Sequence, residues 1–188
     1  MAHFLYKPLL IASITASAIL TGNQFSLSYV SVASILRPPT VAEVHLLSMF
    51  RGVFLGGFHL CPPLAFFSGL VCYLNAFLSY WHESGSVVLE QASSSVIPLL
   101  VAGSFMMGIV PFTLYMIVPV EEILLEKEAK LAKTQKLAAG HDTSIDGEAE
   151  AKGSAAETRR LLKRWAKLNY VRTIFPLVGL VVAWSILF

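Results

Sequence analysis

Four long stretches of this chain carry no Asp, Glu, Lys or Arg, and they constrain its fold more than any other feature. They lie between Lys7 and Arg37, from Gly52 to Trp81, from Gln91 to Val120, and from Thr173 to the C-terminus. A hydrocarbon core of about 30 Å is crossed by roughly 20 apolar residues of helix. Three of the runs exceed that length; the fourth, Thr173 to Phe188, has 16 residues and must take in part of the preceding turn. Inside lipid every backbone N–H and C=O must be satisfied, and runs of this length satisfy them as helices. The expected fold is all-α: an integral membrane four-helix bundle, a single transmembrane domain with spans at about residues 8–36, 44–81, 95–120 and 166–187. A mean hydropathy of +0.66 with only 14% charged residues agrees with this, because soluble domains rarely combine the two.

Most of the charge is gathered between Glu121 and Arg172, with 11 basic and 9 acidic residues. A net charge of +2 is too small to imply nucleic acid. Cys61 and Cys72 both sit in one apolar run and read as small buried hydrophobes, not as a disulfide or metal pair. There is no CxxC and no His/Cys cluster, so neither a metal site nor a cofactor is expected. Lys7 followed by an apolar stretch resembles a signal peptide, but the stretch continues to Leu36, longer than a usual signal core. It reads as the first membrane helix.

Ser13, Thr15, Ser17, Thr21, Gly22, Ser26, Ser28 and Ser31 give that helix a small, hydroxylated character suited to close helix packing. Arg37-Pro38-Pro39-Thr40 breaks it. The second stretch, Val44 to Trp81, is too long for one straight span and is expected to kink at Pro62-Pro63. Its first part, to Cys61, is then an interfacial segment or a projecting helix end. The third span should continue past Val120 as a soluble helix to Ala139, with Glu126 and Lys130 four residues apart. Residues 121–158 thus form a helix extension and a flexible linker, the linker at Gly140 to Gly153; Ser154-Ala-Ala-Glu157 is a capping-box pattern that would start the last helix. The Lys/Arg excess around this loop places it in the cytosol, with both termini on the opposite side.

Two faces carry candidate chemistry. Trp165, Asn169, Arg172 and Pro176 share one helical face, and an ionisable residue at the edge of a membrane is a functional candidate. The bland alternative is a snorkelling Arg172 anchored by Trp165. Pro111, Tyr115, Pro119 and Glu122 share a second face, and Glu121 or Glu122 lies at the membrane level of Arg172. His59, Asn75, Asn23 and Gln24 are buried polar candidates that more commonly join helices than react. In this topology Arg51, His59, Tyr115, Glu121, Glu122, Asn169 and Arg172 fall toward the cytosolic leaflet, where helices could enclose a ligand.

Several short motifs, in order along nearly the whole chain, resemble the anthrone-oxygenase-like family of small four-span membrane proteins. They are Gly22 with Ser26-Leu27-Ser28; Gly57 ahead of Pro62-Pro63-Leu64-Ala65; Pro111-Phe112-Thr113 with Pro119; and the run from Leu161 through Trp165 and Asn169 to Arg172-Thr173. Two positions depart from the family's pattern: Glu121 stands where an asparagine is usual, and Asn169 where a histidine is usual. A shifted substrate and a loss of activity both stand as alternatives there. The resemblance implies a membrane-bound, cofactor-independent oxygenase of polyketide metabolism that converts an anthrone to a quinone with O2. Its partners would be a flat apolar aromatic molecule, O2 and the lipid bilayer, with the endoplasmic reticulum a candidate membrane. Under it Glu121 is the base, with Glu122 or His59 in reserve. Arg172, assisted by Asn169, stabilises the oxyanion, and Trp165 and Tyr115 stack on the substrate. The rival reading is a non-catalytic four-span scaffold that recruits partners through Glu121 to Lys167.

Overall fold

The computed structural model describes residues 2–83, 89–138 and 147–187. All regular structure among them is helical: α1 (Ala2–Ser26), a π-turn (Leu27–Ser31), α2 (Val32–Leu36), α3 (Glu43–Glu83), α4 (Leu89–Phe112), a second π-turn (Thr113–Ile117), α5 (Val118–Ala138), α6 (Gly147–Arg172) and α7 (Ile174–Trp184). Among the described residues, four helical stretches are long and apolar enough to cross a membrane: Lys7–Leu36, Glu43–Trp81, Val96–Thr134 and Gly153–Trp184. The last recruits α6 ahead of the short C-terminal run, as the 16-residue count requires. Large apolar side chains such as Leu70, Phe77, Leu114 and Val181 point away from the protein interior, which suits contact with lipid.

Helix α3 runs unbroken through Pro62-Pro63 for 41 residues, about 62 Å at 1.5 Å per residue. That is about twice a hydrocarbon core, so one end of it must project. Between α2 and α3 the helix breaks at Arg37-Pro38-Pro39, where proline restricts the residue ahead of it. The expected linker at Gly140 to Gly153 needs correction in its second half. Residues 139–146 lie outside the described ones, but α6 already starts at Gly147. Ala149 and Ala151 are strong helix formers, and Glu148 and Glu150 lie at the positive end of the helix dipole. Ser154 is therefore inside a helix, and its hydroxyl donates to Glu43 Oε1 at 3.0 Å instead of capping.

The chain divides into two compact units. The first comprises residues 1–24, 59–112 and 172–188. Its core is built on Leu10, Ile14, Cys72, Ala76, Leu99, Ala102, Met106 and Ala183. Here α4 and α7 pack closely because small residues face each other. A Cβ on Gly179 would sit 2.7 Å from Met106 Cγ and 2.9 Å from the Ala102 carbonyl oxygen. Gly179→Ala should therefore lower the thermal stability of the detergent-solubilised protein by about 1–3 kcal/mol, since the backbone carbonyl cannot yield as a side chain would. Ser13 Oγ donates to the Ser68 carbonyl at 2.8 Å and lies 3.3 Å from Cys72 Sγ. Asn23 donates to Cys61 Sγ at 3.2 Å. Both cysteines are buried free thiols. These bonds join helices, as hydroxyls and amides in membrane interiors commonly do.

The second unit comprises residues 25–58 and 113–171. Its apolar interior includes Leu46, Leu47, Phe50, Ile117, Leu124, Leu162 and Trp165. Polar contacts tie its edge. The Arg159 guanidinium donates to the carbonyls of Leu36, Pro38 and Pro39 at 3.2, 2.8 and 3.1 Å. Glu43 accepts the Thr158 hydroxyl as well as that of Ser154. Arg51 pairs with Glu128, Lys127 with Glu157, and Lys130 with Glu126 one helical turn away.

Candidate functional site

The second unit gathers its buried polar groups around Trp165. In α6 the residues Thr158, Leu162, Trp165, Asn169 and Arg172 are all buried, so the face carrying the candidates points inward. The spacing explains it: these positions recur every three or four residues, while Arg160, Lys163, Arg164 and Lys167 occupy the outer side. Trp165 is 2% exposed. Its ring meets Phe50 edge-on, with centroids 5.1 Å apart and planes at 86°, the arrangement that ring quadrupoles favour. Its indole Nε1 donates to Glu121 Oε1 at 2.9 Å.

Glu121 is 8% exposed, a carboxyl buried in an interior of rings and aliphatic side chains. Burial of such a group is costly without hydrogen bonds, and Trp165 supplies one. Asn169 is fully buried, and its Nδ2 donates to Ser28 Oγ at 2.8 Å. Around them lie further aromatic contacts within the same unit: Phe50 with Phe54, Phe54 with Phe58, and Phe25 with both Tyr29 and Tyr170.

Both π-turns flank this cluster in sequence. In the first, the backbone N–H of Val32 reaches back five residues to the Leu27 carbonyl, and Ser28 lies within the widened turn. Gly57 lets α3 come close there; a Cβ on it would lie 2.8 Å from Leu27 Cδ1. The second π-turn, Thr113–Ile117, is bracketed by Pro111 and Pro119. Proline lacks an N–H and crowds the carbonyl four residues before it, which loosens the turn at Tyr115. π-turns inside α-helices occur frequently at functional sites.

The sequence candidates separate clearly. Glu121, Trp165 and Asn169 lie buried in the second unit. Ser28 joins them there, a residue that the sequence marks only as one of the small, hydroxylated positions of the first span. Pro111, Tyr115, Pro119 and Glu122 share a face as their spacing requires, but all four are exposed, Tyr115 to 80%. Tyr115 and Glu122 therefore point away from the Trp165–Glu121 pair. Arg172 and His59 belong to the first unit, Arg172 buried and His59 exposed.

Comparison with known proteins points in one direction. Residues 50–182 match the family described as Anthrone oxygenase. The chain is similar to the anthrone oxygenase ptaC of Pestalotiopsis fici, with 29% identity over 144 residues, 76% of this chain and 84% of the relative. It is similar also to the anthrone oxygenase tpcL of Aspergillus fumigatus, with 28% identity over 169 residues, 87% of this chain and 86% of the relative. No solved structure matches the chain.

Proposed function

The chain belongs to the anthrone oxygenase family, and from that premise we propose that it is a membrane-bound oxygenase of aromatic polyketide metabolism. Its substrate in this reading is an anthrone-like molecule, oxidised to the quinone by O2 without a bound cofactor. The observation that carries the reading is the buried Glu121 carboxyl, held by the Trp165 indole at 2.9 Å in an aromatic setting.

The chemistry fits a carboxylate base. An anthrone's central methylene is acidified by the ketone and two flanking rings. Glu121 takes one of its protons and leaves an electron-rich enolate. The enolate carbon bonds to O2, and the proton held by Glu121 returns to the outer peroxide oxygen. Loss of the remaining C–H proton and of hydroxide then leaves the new carbonyl and one water. One anthrone and one O2 thus give one quinone and one water. Asn169, held by Ser28, supplies a donor for the enolate oxygen in this proposal. Phe50 and Trp165 provide flat apolar surface for the rings. Such a substrate partitions into lipid, which accounts for apolar helices in an oxygenase.

The test is turnover by the purified protein, following quinone absorbance and O2 consumption together. One O2 consumed per quinone formed is expected. A folded protein inert on every anthrone offered would favour the scaffold instead. In the cell, deletion of the gene should cause a reduced aromatic precursor to accumulate. Orientation follows from the Lys/Arg bias: single cysteines at Ser144 and Glu83, in a background with Cys61 and Cys72 replaced by Ser, should label from opposite sides of the membrane. Labelling of both from one side would contradict the four-span arrangement.

A further inference from the structure

Two sets stand out among the cations of the second unit. Arg51, Lys127 and Lys130 pair with Glu128, Glu157 and Glu126, and Arg159 holds three backbone carbonyls. Arg160, Lys163, Arg164 and Lys167 form the other set. All four are exposed, and among the described residues no carboxylate pairs with them. Their spacing of three, four and seven residues puts them on one side of α6, opposite the buried Leu162, Trp165 and Asn169. Four cations within about two turns repel one another, so among the described residues this side of the helix carries charge that no carboxylate offsets.

The residues beyond Lys167 on that side decide which anion. Tyr170 and Val171 are exposed there, and α6 belongs to a stretch long and apolar enough to cross a membrane. The outer surface of the helix therefore passes from cationic to aromatic and apolar within one turn. A tyrosine at that transition suits the level of lipid headgroups. Long basic side chains placed just outside that level meet phosphate groups, and the surrounding bilayer holds them at high local concentration.

We infer that Arg160, Lys163, Arg164 and Lys167 form a binding surface for the headgroups of anionic phospholipids in the leaflet where α6 enters the membrane. The arginines offer forked donors to phosphate, and the lysines add compact charge. The inference is independent of the reaction proposed above, because none of these four side chains belongs to the buried cluster.

The test uses the full-length protein in nanodiscs of mixed phosphatidylserine and phosphatidylcholine, with retained lipid counted by native mass spectrometry. One basic residue near an anionic surface is worth about fivefold in preference. The parent should retain phosphatidylserine at least about fivefold above its share of the mixture, and the excess should shrink in discs equilibrated at high salt. The variant with Arg160→Gln, Lys163→Gln, Arg164→Gln and Lys167→Gln should retain the two lipids in proportion. Should that variant fail to fold, Lys163→Gln with Lys167→Gln should give an intermediate excess. Proportional retention by the parent, or an unchanged excess in either folded variant, overturns the inference. So does a soluble inositol phosphate that stabilises the parent in phosphatidylcholine-only discs as strongly as phosphatidylserine does, since the surface would then serve a free anion.

Discussion

Glu121→Gln should slow anthrone turnover by about 10²- to 10⁴-fold, the span that a positioned base contributes, while leaving the protein folded in detergent. The substitution is nearly isosteric. The new amide would still offer an oxygen to the Trp165 indole, so the 2.9 Å bond and the packing around it can persist. The capacity to accept the substrate's proton is lost. The measurement is quinone formation by the purified variant beside its thermal unfolding curve. Unchanged turnover in a folded variant would remove Glu121 as the base and move attention to His59, which lies in the other unit. A fall in activity matched by a fall in unfolding temperature would mark Glu121 as structural only.

Trp165→Ala should cost about 3–5 kcal/mol of stability, the usual range for emptying a buried aromatic site. The ring is 2% exposed and packs edge-on against Phe50, so the cavity cannot collapse without moving α3 residues. Trp165→Phe separates the two roles of this side chain. It keeps most of the ring contact but removes the indole donor from a buried carboxyl, at a cost of about 1–3 kcal/mol. Turnover should fall further than stability in Trp165→Phe, because the variant no longer holds the Glu121 carboxyl in place. A Trp165→Phe protein with the parent's turnover and reduced stability alone would confine Trp165 to packing.

The four spans are legible in the sequence because charge is excluded from lipid, and the four uncharged runs mark the four long apolar helices. The inward face of α6 is equally readable. Its outer side is cationic, so Trp165, Asn169 and Arg172 have only one way to turn. Helices α4 and α5 offer no such contrast around Pro111, Tyr115 and Pro119. Leu114 and Met116 are exposed and Ile117 is buried, all apolar, so spacing shows a shared face but not its direction. For that reason the sequence groups Tyr115 and Glu122 with residues they point away from. Ser28 is hidden for another reason. It is one of eight serine and threonine residues in the first span, and only the Asn169 contact distinguishes it. The start of α6 is masked by the polarity of Gly147 to Gly153, whose alanines and glutamates also favour helix.

The two π-turns have a consequence for how this chain tolerates insertions and deletions. A widened turn is a helix holding one surplus residue, and each residue of an α-helix accounts for about 100° of rotation. Deleting a single residue within Leu27–Ser31 would convert the wide turn to an ordinary one. The wide turn takes up its surplus residue as girth, so neither flank need unfold or rotate far when one residue is lost there. The same deletion within an uninterrupted stretch of α3 would swing one flank by about 100° against the other. Leu27–Ser31 is thus a place where the chain can change length while its neighbours keep their facing.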